Sequence, residues 1–343
     1  MSRFILRRLL QAIPTLFGIT LISYGIMLAA PGGPVAALTF SPRFSPQERA
    51  AVAERLGVND PFHVQYLRWL IGDDWMTFCE TDRDGVETCE RGERKGILRG
   101  DFGVSFTANR SALEVIVEKI PATLELAVIA FIIGLTGGLL IGTLAAVNQG
   151  GWFDQITRVL TVLFSAIPTF WLGLVLLLIF GTWLGWLPMG NRYPLTLMGD
   201  YTLLDRLKHL VLPVFVLATG DLTLYSRFMR ASVLDALSQD YIRTARAKGL
   251  ASRTVWFRHA LRNALVPIAT IVGPAIPGLI GGSLIVEQIF SWPGVGRLAF
   301  TAVGQQDYPV VMAAVLIGGI TTIIGYLLAD VFVALVDPRI RLS

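Results

Sequence analysis

The sequence predicts an all-α integral membrane protein of six helical spans, with a long aqueous loop after the first. Three observations predict it. The 343 residues are 53% hydrophobic and only 16% charged, too apolar for an ordinary soluble domain and long enough for about six spans plus loops. The apolar residues fall in runs of span length, and Arg and Lys gather at alternate span ends. The net charge of +4 is small for the length, and neither a basic run nor a stacking platform points to nucleic acid, which is excluded as a partner.

The first span follows a charged front, MSRFILRR. Its apolar run, Leu9 to Ala30, is about 22 residues without a convincing small-residue cleavage site, so it reads as a retained span and not a cleaved signal peptide. At 1.5 Å per residue it reaches roughly 33 Å, enough for a hydrocarbon core of roughly 30 Å. Pro31 to Pro34, PGGP, ends it. Residues 31–120 then form the one sizeable aqueous segment, and 121–343 hold five further spans: about Pro121 to Val147, Thr157 to Leu184, Leu207 to Phe228, Ala264 to Val286 and Val310 to Val336. Glycines recur inside them, as in GLTGGLLIG from Gly134 to Gly142 and near Gly281 and Gly318, which suits close helix packing. Pro213, Pro267, Pro274 and Pro277 can kink or break helices.

Orientation follows from the cations. Arg3, Arg7 and Arg8 precede the first span. Arg227, Arg230, Arg243, Arg246, Lys248, Arg253, Arg258 and Arg262 crowd the fourth-to-fifth connection, and Arg339 and Arg341 follow the sixth span. With an even number of spans these places share one side, so both termini and the 229–263 loop are expected in the cytosol and the 31–120 loop outside.

Within that loop, Cys79 and Cys89 flank a charged insertion with Gly85 at a turn. Three readings stand open: a disulfide, which an oxidising compartment permits and which is worth roughly 3 kcal/mol; two unpaired thiols; or a metal site, for which two cysteines without nearby His are too few ligands. No metal site is expected. The chain also lacks a G-x-x-x-x-G-K-[ST] phosphate loop, and His63, His209 and His259 offer no H-E-x-x-H zinc site. No catalytic residue is expected, and energy must come from a separate protein.

Charges inside spans cost roughly 2.5 to 3.5 kcal/mol at mid-membrane, so each suggests a role. Asp221 is the clearest. It either lines a translocation path, meeting the amino group of a substrate, or serves structure by bonding a neighbouring helix or a partner subunit. Glu125, Glu287 and Asp330 lie near span ends and read as interfacial.

The polar island of the second half is 240–267, DYIRTARAKGLASRTVWFRHALRNALVP. Asp240 is expected to cap a short helix on which Thr244, Ala245 and Gly249 share a face, with Arg243, Arg246, Ala247 and Lys248 around them. Gly249 is expected to stop it, and Ser252 to cap a second helix running into the fifth span. A basic amphipathic loop of this kind also suits anionic lipid.

This segment resembles the signature loop of bacterial ABC importer permeases, Glu-Ala-Ala, three residues, Gly, which forms the coupling helix received by the ATPase subunit. Of the three leading positions, Arg243, Thr244 and Ala245, only the last and Gly249 agree, and 259–262, HALR, replaces the usual Ile-x-Leu-Pro. YIRTARAKGL followed by FRHALRNALVP is similar to the dipeptide and oligopeptide branch. So are RRLLQAIPTLFGITLISY with APGGP, DFGVSF at 101–106, EQIFSWPGVGRLAFTAVGQQDYPVV, and the closing DPRIR. The resemblance covers most of the chain apart from the Cys-bearing insertion.

It implies the type I importer permease fold and a multi-pass subunit of the bacterial cytoplasmic (inner) membrane. It further implies a second homologous permease, one or two ABC ATPase subunits carrying ATP and Mg, an extracytoplasmic peptide-binding protein, and coupling through residues 243–249. No cofactor is implied on this chain. Related permeases carry nickel, opines or oligosaccharides, and a secondary transporter or channel is the alternative class.

Overall fold

A computed structural model describes residues 2–29, 60–81, 87–92, 94–194, 201–281 and 283–336. The helix stop expected at PGGP 31–34, the turn expected at Gly85 and the closing DPRIR, with Arg339 and Arg341, lie outside these. In chain order the helices are α1 Ser2–Ala29, α2 Phe62–Ile71, α3 Ala112–Val117, α4 Ile120–Val147, α5 Trp152–Ala166 and α6 Thr169–Leu176, which continues as a π-helical turn over Leu177–Trp183. Then follow α7 Leu203–Leu237, α8 Asp240–Ala247, α9 Ser252–Thr254 with a π-helical turn Val255–Ala260, α10 Leu261–Val272, α11 Ile276–Gly281, α12 Leu284–Ile289, α13 Val295–Gly304 and α14 Tyr308–Val336. Two short strands, β1 Thr77–Thr81 and β2 Glu87–Arg91, pair antiparallel in the 31–120 segment. Their register sets Cys79 directly opposite Cys89, and Cys89 is disulfide-bonded.

Among the described residues, four single helical stretches are long and apolar enough to cross a membrane: Leu6–Ala29, Ala112–Val147, Leu203–Leu237 and Tyr308–Val331. The span expected at 157–184 is instead two helices, α5 and α6, meeting at 99°. Pro168 explains the break. Its ring disfavours the helical conformation for the preceding residue, and Ile167 is extended at φ −82°, ψ 122°. The expected fifth span, 264–286, is likewise interrupted. Helix α10 passes through a 3₁₀ turn at Gly273–Ala275 into α11, and a separate short helix, α12, follows. Pro274 and Pro277 each remove a ladder N–H there.

The chain divides into two compact units, one of residues 1–8, 120–297 and 321–343, the other of 9–119 and 298–320. In the first, the core of α4, α6 and α7 gathers Leu126, Leu172, Leu210 and Val214 with Phe290 and Trp292. A second cluster lies around α8: Ala146, Met229, Val233, Ile242, Ala245, Val255 and Ala260. Helices α4 and α7 approach closely along the glycine stripe. A methyl on Gly138 would stand 2.7 Å from Tyr225 Cβ, and one on Gly142 would stand 2.4 Å from the Ser226 carbonyl oxygen.

The other unit is built on aromatic packing. Tyr24, Met27, Tyr66, Tyr308 and Met312 form its core, and Tyr24 meets Tyr66 edge-to-face at 5.6 Å. Asp307, buried, ties the DFGVSF segment to the start of α14. It accepts hydrogen bonds from Ser105 Oγ (2.5 Å), Thr107 Oγ1 (2.8 Å) and the backbone N–H groups of Phe106 and Thr107 (both 3.2 Å). A carboxylate out of water needs such donors, and four of them satisfy it. Two stretches that carry the resemblance, 101–106 and 305–309, are therefore halves of one structural contact.

Candidate coupling surface and translocation path

Helix α7 ends at Ser238, and Gln239, extended at φ −74°, ψ 153°, redirects the chain into α8. Gln239 is the residue before α8, and Asp240 is its first helical residue; Ala251 precedes α9 in the same way, ahead of Ser252. Neither Gln239 nor Ala251 makes a side-chain capping bond, so the expectation that Asp240 and Ser252 cap these helices is corrected. Asp240 sits one position too far along to reach the orphan N–H groups as a cap; its charge still suits the helix N-terminus.

The face assignment also changes. Ile242 and Ala245, one turn apart, are both buried, against Met229, Val233, Val255 and Ala260. Ala245 therefore anchors α8 to its own chain, and the outward surface is Arg243, Thr244, Arg246, Ala247, Lys248 and Gly249, continued by Tyr241, Leu250 and Phe257. The stop at Gly249 is a Schellman turn. The Gly249 N–H donates to the Arg246 carbonyl (2.9 Å) and the Leu250 N–H to the Ala245 carbonyl (3.3 Å), with Gly249 at φ +74°. The pair Arg243–Asp240 at 3.3 Å is solvent-exposed and adds little stability, which leaves the basic groups available to a partner.

About two turns before the end of α7, Arg230 is clamped to Asp154 at the start of α5. Arg230 Nε donates to Asp154 Oδ1 (2.6 Å) and Nη2 to Oδ2 (2.8 Å), while the Gly150 N–H donates to Oδ2 (3.0 Å). Asp154 is 1% exposed. Nothing in the sequence pairs these residues, since they lie on separate helices and read as ordinary span-end charges. Arg230→Ala strands a buried carboxylate and is expected to cost about 3 kcal/mol. Thermal melting of the purified subunit beside wild type checks this, and an unchanged midpoint would mean that the clamp contributes nothing.

Asp221 lies on α7 where it passes Gly134 of α4; a methyl on Gly134 would stand 2.5 Å from Asp221 Cβ. Among the described residues no hydrogen bond or ion pair engages the Asp221 carboxyl. One turn on, Tyr225 is fully buried and its hydroxyl also lacks a partner among the described residues.

Glu287 departs from its interfacial reading. It is 0% exposed and folds beneath the SWPGVGR loop, accepting from the Thr123 hydroxyl (2.9 Å) and the Arg297 N–H (2.8 Å) at the start of α13. Trp292 donates to the Ala122 carbonyl (2.7 Å) alongside. Burial pushes the Glu287 carboxyl above its ordinary range, against the pull of these donors. Gly294 is obligatory, because a methyl there would stand 2.3 Å from the carboxylate. Glu125, its side chain 12% exposed, bridges Arg192 (2.7 Å) and Arg206 (2.8 Å), and Asp330 pairs with Arg8 at 3.0 Å.

Long apolar helices around a basic, exposed helix-glycine-helix turn are the build of a membrane-embedded subunit. The family model for binding-protein-dependent transport system inner membrane components matches residues 138–342, and the model for the N-terminal part of such components matches residues 1–127. The chain belongs to this family of ABC transporter permeases. It is similar to the oligopeptide transport system permease protein AppB of Bacillus subtilis (strain 168), 41% identical over 99% of this chain and 100% of the relative. It is also similar to the di/tripeptide transport system permease protein DppB of Pseudomonas aeruginosa (strain UCBPP-PA14), 35% identical over 99% of each. Among solved structures, the inward-facing MetNI methionine ABC transporter superposes with a TM-score of 0.51 at 16% identity, over 66% of this chain and 97% of that one, a likeness of fold. The all-α importer-permease fold expected from the sequence is thereby established; among the described residues four single helices and one bent pair are long and apolar enough to cross a membrane.

Proposed function

We propose that this chain is the permease subunit of an ATP-driven importer that moves dipeptides or oligopeptides across the cytoplasmic membrane by alternating access. The observation that carries the reading is the full-length similarity to peptide permeases, joined to an α8 surface whose cations face outward. In this reading the succession α10 and α11 makes a further crossing, both termini and α8 are cytosolic, and the Cys79–Cys89 bridge braces the outer hairpin. A second permease completes the pore, a binding protein delivers peptide from outside, and partner ATPases hold ATP and Mg. Closure of those ATPases pushes on residues 243–249, and α7, continuous from the outer side to α8, carries the motion past Asp221. Asp221, without a partner among the described residues, faces either the peptide amino group or the second permease.

The test is gentle copurification of the tagged chain from native membranes, followed by uptake in vesicles. Recovery of a second permease and an ATPase stimulated by peptide-loaded binding protein is expected. A lone chain passing solute in ATP-free vesicles would replace this reading with a channel or secondary transporter.

A further inference from the structure

Helix α2, Phe62–Ile71, is inside out for a helix in water. Its polar residues point inward. Gln65 and Arg68 are buried; Gln65 donates to the Asp60 carbonyl (2.7 Å), and Arg68 is held by the carboxylates of Asp60 (2.5 Å) and Asp73 (3.9 Å). Its outward residues are apolar: Phe62 and Leu67 are each 42% exposed and Ile71 36%, with His63 the one exposed polar side chain among them. Leu67 and Ile71 lie one turn apart on one face. Exposed Trp75 follows, its indole N–H satisfied by the Gly72 carbonyl (2.7 Å), and exposed Leu98 joins from the 3₁₀ turn Ile97–Arg99, which Arg99 ties to the Ile71 carbonyl. Water selects the opposite arrangement, with polar groups outward and apolar groups inward.

The depth of α2 identifies the solvent that fits it. Its inner face packs on α1 within the span Leu6–Ala29. Tyr66 meets Phe17 edge-to-face at 5.8 Å and shares a hydrogen bond with the Thr20 hydroxyl (2.8 Å), while Phe62, Tyr66 and Trp69 surround Tyr24. The 24 residues of that span reach roughly 36 Å, a little beyond a hydrocarbon core of roughly 30 Å. Thr20 stands roughly 13 Å short of the Ala29 end, well inside that core. Phe17, itself half exposed, carries the apolar surface of the span onto α2. A guanidinium at such depth is tolerable only when paired, and Arg68 is paired twice. We infer that α2 lies in the outer leaflet with Leu67 and Ile71 against phospholipid acyl chains, while Trp75 and the exposed Asp74–Arg99 ion pair mark the headgroup level. The segment after the first span is then partly a membrane element. Calling the leaflet the outer one rests on the orientation proposed above; the lipid contact does not.

The experiment uses the complete complex of permeases and ATPases in phosphatidylcholine nanodiscs, with a bimane fluorophore on Leu67→Cys, Ile71→Cys or, as the aqueous control, Lys95→Cys. Partner subunits are made cysteine-free, and Cys89 of this chain, disulfide-bonded, does not compete for the label. Phosphatidylcholine with a doxyl group on its acyl chain is expected to quench the Leu67 and Ile71 labels about twofold or more, and aqueous iodide to leave them nearly unchanged. Lys95, exposed and charged, should show the reverse. Nanodiscs open both leaflets to both quenchers, so the outcome does not depend on which side is outer. Wild type supplies a check free of substitutions: phosphatidylcholine with a diazirine in its acyl chain should leave adducts on residues 62–71. Iodide quenching of the Leu67 label to the level of Lys95 would put α2 in water and overturn the inference. Labels shielded from both quenchers, with no lipid adduct on 62–71, would assign the face to the second permease instead.

Discussion

Replacing Gly142 with leucine is expected to leave almost no folded permease in the membrane, and even alanine there should cost about 2 kcal/mol. The reason is what the added carbon meets. It would stand 2.4 Å from the Ser226 carbonyl oxygen, 2.8 Å from Met229 Cβ and 3.1 Å from the Arg230 nitrogen, and two of these are backbone atoms that cannot rotate away. To make room, α7 would have to move as a body, drawing Arg230 off Asp154 and Tyr225 off Gly138. Without a hydrophobic drive between helices in lipid, such close backbone contact is a main source of helix–helix affinity. Gly220, on α7 itself, supplies the control. An added methyl there meets nothing within 4 Å, and alanine should be neutral or stabilising by up to about 1 kcal/mol. Membrane abundance and melting midpoints of Gly142→Ala, Gly142→Leu and Gly220→Ala check the contrast. Equal midpoints for the two alanine variants would show that the stripe does not set the α4–α7 distance.

The sequence made that stripe legible, because glycine every fourth residue in an apolar run is a local, periodic signal. The same holds for α7 as a long helix delivering the chain to a polar turn, and for Gly249 as a stop. What periodicity does not show is pairing between remote segments. Asp307 with Ser105, Glu287 with Thr123 and Asp154 with Arg230 each join residues far apart in the chain. In sequence, Glu287 reads as a charge at the rim of a span; in the fold, all three carboxylates are buried because donors from elsewhere close around them. The break at Ile167 was in view, since Pro168 was there to read, but apolar residues on both sides concealed it in a hydropathy reading. Ala245 was misjudged for a simpler reason. Ile242, three residues earlier, was the stronger guide to which face of α8 turns inward.

The surface left outward by that correction makes Gly249 the position where coupling is most exposed to a single substitution. Gly249→Val is expected to lower ATP-driven uptake at least tenfold while the subunit remains inserted at normal abundance. Two causes are separable. Nothing lies within 4 Å of a carbon added at Gly249, so this chain itself imposes no clash. At φ +74°, however, an L side chain strains the backbone, by about 1–2 kcal/mol for an ordinary residue and more for a β-branched one. That strain opposes the turn that fixes Leu250 and α9 relative to α8, and with it the shape presented to an ATPase. If backbone conformation governs, asparagine, larger but tolerant of the left-handed region, retains more uptake than alanine. If space at the docked surface governs, alanine retains more than asparagine. The conformational order, Gly above Asn above Ala above Val, is the expected one, read as uptake per inserted subunit in vesicles containing the whole complex. Alanine outperforming asparagine would transfer the constraint from this chain to the surface that receives it, and normal uptake by the valine variant would remove residues 243–249 from the coupling path.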